Sequence, residues 1–119
     1  MLKSLLVAAV AAALLAGSTQ AASHKVTKLY AQAGPGFTIT LKNKQFVPVH
    51  SLKRGTYTFV IQDRSTIHNF HLKGPGVNKE ITTVGFVGTK TVIVALKKGT
   101  YTFVCDPHFT SMKGSFRVA

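Results

Sequence analysis

Beyond residue 33 the chain alternates apolar and polar positions with a period of two, the mark of half-buried strands. Phe37-Thr38-Ile39-Thr40-Leu41 alternates cleanly, which places Phe37, Ile39 and Leu41 on one face, and Gly34-Pro35-Gly36 just before it is a turn signal. Segments 55–63, 68–72, 81–87, 90–96, 99–105 and 114–118 also read as strands, each bounded by Gly, Pro, Asn or Lys-rich turns. Residues 22–33 form a polar lead-in that predicts a short edge strand near Val26 to Ala31. No stretch sustains a 3.6-residue period. Short strands at this spacing predict an all-β domain, an antiparallel sandwich or barrel.

One repeat sharpens the picture. Leu52-Lys53-Arg54-Gly55-Thr56-Tyr57-Thr58-Phe59-Val60 recurs as Leu96-Lys97-Lys98-Gly99-Thr100-Tyr101-Thr102-Phe103-Val104, a basic turn followed by a strand in both copies. The copies part at the next residue, Ile61 in the first and Cys105 in the second. Alternate side chains share a face of a strand, so Tyr101, Phe103 and Cys105 point together, inward, at the strand's end. The same parity turns His68, Phe70 and Leu72 inward and His71 toward solvent.

The N-terminus adds a destination. Met1-Leu2-Lys3-Ser4 precedes twelve uninterrupted apolar residues, Leu5 to Ala16, and then Gly17-Ser18-Thr19-Gln20-Ala21-Ala22. A basic start, a short apolar run and a small-residue exit predict a signal peptide over 1–21, cleaved after Ala21. The run is short for a membrane span, so stable membrane insertion after cleavage is not expected. Residues 22–119 make one small domain, exported to the bacterial periplasm, cell envelope or medium, and expected to be a monomer.

Charge is lopsided: residues 22–119 carry 14 Lys plus Arg against Asp63, Glu80 and Asp106. Such a field speeds encounter with an acidic partner or an anionic surface. Export and the lack of a helical recognition pattern argue against nucleic acid.

The candidate chemistry lies in Cys105-Asp106-Pro107-His108-Phe109-Thr110-Ser111-Met112, which holds the only cysteine and the only methionine after Met1. A lone cysteine cannot form an internal bridge, and in an exported chain it points to intermolecular pairing, a reactive thiol or a bound metal. With inward His68, the segment supplies the two imidazoles, thiolate and weak thioether that hold electron-transfer copper. Structural zinc prefers four strong ligands, which a thioether is not, and iron–sulfur ligation lacks cysteines. His24, His50 and His71 are expected at the surface. Asn69, beside His68, is placed to brace the Cys105 loop.

At these residues the chain resembles the cupredoxins, the small blue copper proteins, and most closely the plastocyanin, pseudoazurin and amicyanin branch. His68-Asn69, the Cys-x-Pro-His at 105–108, Met112 and Gly34-Pro35-Gly36-Phe37 carry the likeness. The resemblance implies a Greek-key β-sandwich with one copper ion at one end, ligated by His68, Cys105 and His108 with Met112 axial. It implies a one-electron carrier rather than an enzyme, with redox proteins, acidic ones among them, docking near the His108 edge. Gly34–Phe37, Pro75, Pro107 and Phe109 are candidates for an apolar patch there. Three residues separate His108 from Met112, where amicyanin-like loops have two and plastocyanin-like loops four. The axial place is therefore open between Met112, a backbone carbonyl and water. The alternative role is copper storage, delivery or resistance, against which stands the absence of a Met- and His-rich cluster.

Overall fold

In the computed structural model, which describes residues 25–119, two sheets face each other across one core. The expected leader and His24 lie outside the described residues. The strands are β1 (Thr27–Ala33), β2 (Ile39–Lys42), β3 (Ser51–Leu52), β4 (Gly55–Asp63), β5 (Phe70–Gly74), β6 (Val77–Thr82), β7 (Gly88–Leu96), β8 (Gly99–Val104) and β9 (Lys113–Val118). One sheet runs β2-β1-β4-β7 and the other β3-β9-β8-β5-β6. The result is the two-sheet β-sandwich that the resemblance implied.

The strand expectations need four corrections. The lead-in forms a full seven-residue strand, and it is interior: β1 pairs with β2 on one side and lies parallel to β4 on the other. Its buried residues, Leu29, Ala31 and Ala33, are small or few among polar neighbours, so alternation was hard to see. Second, β3 is a two-residue strand paired in parallel with β9, so the sandwich is not wholly antiparallel. Third, 81–87 is not a strand; pairing with β5 ends at Thr82, and Val84 and Val87 are exposed. Fourth, Phe37 precedes β2 and is 61% exposed, whereas Leu41 enters the core.

Parity held where the pattern was strongest. Phe59 and Ile61 on β4, and Tyr101 and Phe103 on β8, are buried. Phe70 stacks on Phe103 at 5.7 Å, and Tyr101 on Phe116 at 5.4 Å. Aromatics bury on the order of 150–250 Å² each, and the Phe70–Phe103 pair forms the floor beneath the Cys105 end. The repeat is structural: its copies enter β4 and β8, one in each sheet, through Gly55 and Gly99 at φ 149° and 143°. At Gly99 a Cβ would also lie 2.6 Å from Pro75 Cγ.

Candidate metal centre

Four elements converge on one end of the sandwich: the turn after β1, the segment between β4 and β5, the loop after β8 and the start of β9. Cys105 follows β8 directly, is fully buried, and continues the inward face of Tyr101 and Phe103. Asp106–His108 then forms a single 3₁₀ turn with Pro107 at its start. The His108 amide donates to the Cys105 carbonyl at 3.0 Å and the Met112 amide to the His108 carbonyl at 2.8 Å. The Cys105 amide in turn donates to the Met112 carbonyl at 3.0 Å, extending the Val104–Lys113 pairing by one rung. Residues opposite each other in a ladder share a face. Met112 therefore turns inward beside Cys105, and it is fully buried.

His68 ends the segment that leaves β4. The Arg64 amide binds the Ala33 carbonyl at 2.9 Å, and the buried Thr82 hydroxyl accepts the Phe70 amide at 2.9 Å. Between these anchors His68 is fully buried. Its Nε2–H donates to the Gly36 carbonyl at 2.8 Å, which leaves the Nδ1 lone pair free to face Cys105. Gly34, at φ 73°, makes room for the imidazole, since a Cβ there would stand 2.8 Å from His68 Cδ2.

The donor atoms form a triangle. Cys105 Sγ lies 3.6 Å from His68 Nδ1 and 3.4 Å from His108 Nδ1, and the two nitrogens are 3.2 Å apart. The point equidistant from corners with those separations lies about 2.0 Å from each, close to metal–imidazole and slightly short of metal–thiolate lengths of ~2.0–2.3 Å. Two imidazoles with a thiolate, one imidazole already held in the ligating tautomer, fit a soft transition metal in trigonal coordination. His108 is half-buried where His68 and Cys105 are sealed. The ring of Phe37 meets His68 and His108 edge-on at 5.6 and 5.0 Å.

Asn69 braces the loop as its position suggested. It accepts the Asp106 amide at 2.7 Å and donates to the Asp106 carboxylate at 2.7 Å and to Glu80 at 3.0 Å. His71 was expected at the surface, but it is half-buried and its Nδ1 lies 2.8 Å from Asp106 Oδ2. Burial raises the Asp106 carboxyl, but hydrogen bonds from Asn69 and His71 and the charges of His71 and Lys73 outweigh it and hold the group below its usual range. His71, Glu80 and Asp106 come close enough to suggest a second metal site. The Asn69 amide already occupies the position between the two carboxylates, so this is a hydrogen-bonded brace. Pairing across 35 residues left no trace in the local sequence pattern. His50 is exposed, as expected. Pro75 is not near this end: it lies in the β5–β6 turn at the opposite pole, its carbonyl bound by the Tyr101 hydroxyl.

A two-sheet sandwich with a buried His₂Cys cluster at one pole defines a class of small metal-binding β-domains. The cupredoxin-like domain family matches residues 5–118, and the chain belongs to that family. Among solved structures it is similar to rusticyanin from Thiobacillus ferrooxidans (22% identity, TM-score 0.54, covering 82% of this chain and 79% of that one). Reduced rusticyanin gives 22% identity and a TM-score of 0.57 over 82% of this chain and 81% of that one. Auracyanin A, a "blue" copper protein from Chloroflexus aurantiacus, gives 18% and 0.55 over 80% of this chain and all of that one. At these identities the likeness concerns the fold. No curated protein sequence matches the chain.

Proposed function

We propose that this is an exported mononuclear copper protein of the type I class, carrying single electrons between redox partners in the bacterial periplasm or cell envelope. Bound copper would supply a one-electron Cu(I)/Cu(II) couple. His68, Cys105 and His108 are the strong ligands in this reading, and Met112 is the axial one. The observation that carries it is the donor triangle, closed around the His68 tautomer that the Gly36 carbonyl selects. A thiolate and thioether favour Cu(I) and imidazoles serve either state, so a rigid frame limits rearrangement. The Asn69–Asp106 bonds and the aromatic floor make the frame stiff. His68, Cys105 and Met112 exclude water; half-buried His108 is the exit for the electron.

Exposed Phe37, Pro107 and Phe109 rim the His108 edge and form the apolar contact for a partner. The net positive charge raises the rate of encounter with an acidic redox protein. A buried site with one internal methionine favours electron transfer over storage or delivery, which needs open, exchangeable ligands. No helix among the described residues is long and apolar enough to cross a membrane.

Loading with Cu(II) tests the reading. The expected result is an intense thiolate-to-copper absorption band with reversible one-electron redox, lost in Cys105→Ser. A colourless or redox-inert complex would sink it. Met112→Leu should keep the copper and raise the reduction potential; an unchanged potential would give the axial place to another group.

A further inference from the structure

The positive residues are scattered in sequence, but the fold sorts them. The pole opposite the His68–Cys105–His108 cluster gathers the two basic turns of the repeat, Lys53-Arg54 and Lys97-Lys98, side by side because Gly55 pairs with Leu96. Thr27 enters β1 opposite Tyr57, so the chain emerges at this same end, where Lys25, Lys28 and Lys44 line a shallow groove. All three acidic side chains of the described residues lie elsewhere, and the one terminal group at this pole, Ala119, is bound by Arg54 at 3.2 Å. Asp63 closes β4 at the metal end, Asp106 adjoins Cys105, and Glu80 binds Asn69.

An exposed aromatic side chain lies on the adjoining sheet face, which it lines with Lys42 and with Tyr30, the residue shared with the lysine groove. The turn after β2 is closed by Asn43, whose Oδ1 accepts the Gln45 and Val47 amides at 2.9 and 3.1 Å. At its tip Phe46 has φ 61° and is 75% exposed. A bulky residue in the left-handed region is unusual, and its ring gains nothing from water. Val47, next to it, is 53% exposed. Lysines next to an exposed aromatic and aliphatic tip, with no acidic side chain among them, match the chemistry of an interfacial membrane contact.

We propose that this pole is a docking surface for an anionic phospholipid bilayer, with Lys25, Lys28 and Lys44 at the headgroup phosphates and Phe46 entering the interfacial layer. The charges are dispersed and carried on flexible stems, which suits a fluid anionic surface better than one shaped protein partner. Docked in this way, the chain turns His108 away from the lipid and toward soluble partners. The surface needs no copper, so its failure and that of the electron-carrier reading are separable.

The test is co-sedimentation of residues 25–119 with vesicles of phosphatidylcholine alone or mixed with phosphatidylglycerol. These residues hold every described strand and the core, and omitting the leader prevents its own partitioning. The chain should bind the mixed vesicles only, equally with and without copper, and release as salt rises. A basic residue at an anionic surface is worth about fivefold in binding. Lys28→Glu with Lys44→Glu should therefore weaken binding by at least about 25-fold. The same charge change at the metal end, Arg64→Glu with Lys113→Glu, should cost much less. Phe46→Gly suits the turn's backbone, so it should fold normally and bind several-fold more weakly. Absent binding, equal loss from both charge reversals, or full binding by Phe46→Gly would each overturn the proposal. So would preference for an acidic polypeptide over the mixed vesicles, which would make the partner a protein.

Discussion

Gly34 shows how one missing carbon atom shapes the metal end. It combines φ 73° with a close approach to His68, so alanine there meets both backbone strain and a 2.8 Å contact with the imidazole. Left-handed backbone costs a residue with Cβ roughly 1–2 kcal/mol, and the ring must also move. Gly34→Ala should therefore lower both stability and copper affinity and alter the absorption band. An unchanged spectrum and affinity would mean that the turn does not set the His68 position. The four proposed ligands could be picked out in the sequence because Cys-x-Pro-His is local and strand parity oriented Cys105 and His68. The supports were less visible. Phe37 resembled a core residue because it continued an alternation, and His71 faced away from the ligands only to meet Asp106 from another element.

Each copy of the repeated turn-and-strand element uses a tyrosine to hold the turn that precedes it. The Tyr57 hydroxyl donates to the Lys53 carbonyl at 2.6 Å, and the Tyr101 hydroxyl accepts the Lys97 amide at 2.9 Å. Tyr101 is fully buried and also donates to the Pro75 carbonyl at 2.7 Å, tying the β7–β8 turn to the β5–β6 turn. A buried group left without a partner costs about 1–3 kcal/mol, a typical net hydrogen bond about 1. Tyr101→Phe should thus destabilise the fold by about 1–3 kcal/mol and Tyr57→Phe by less, measured as denaturant midpoints. Equal effects would show that burial does not separate the two copies. Strands 4, 7, 8 and 9 were legible because each buries alternate large side chains on one face. β1 was legible only as a short edge strand and β3 not at all, since their place comes from parallel partners distant in the chain, and β6 was misplaced because Val84 and Val87 follow the strand without entering the core.

Across the whole molecule, charge and apolar surface are separated. The acidic side chains stay near the metal end and most of the basic ones gather at the other, while the His108 edge is rimmed by Phe37 and Phe109. The net positive field would draw in an acidic partner from a distance, and screening by salt shortens its reach to about 10 Å at 0.1 M. Electron transfer with an acidic partner should therefore slow as salt is added. A rate independent of salt would leave the apolar rim as the sole determinant of encounter.

The burial of β1 between two neighbours has a practical consequence. The strand advances about 3.3 Å per residue, so its first residue is held some 20 Å from the turn that shelters His68. Fixing the protein to an electrode by residue 25 would leave its redox centre remote from the conductor and its current weak. Immobilising it through a thiol-free graft near Pro35 would reverse that orientation and give fast exchange.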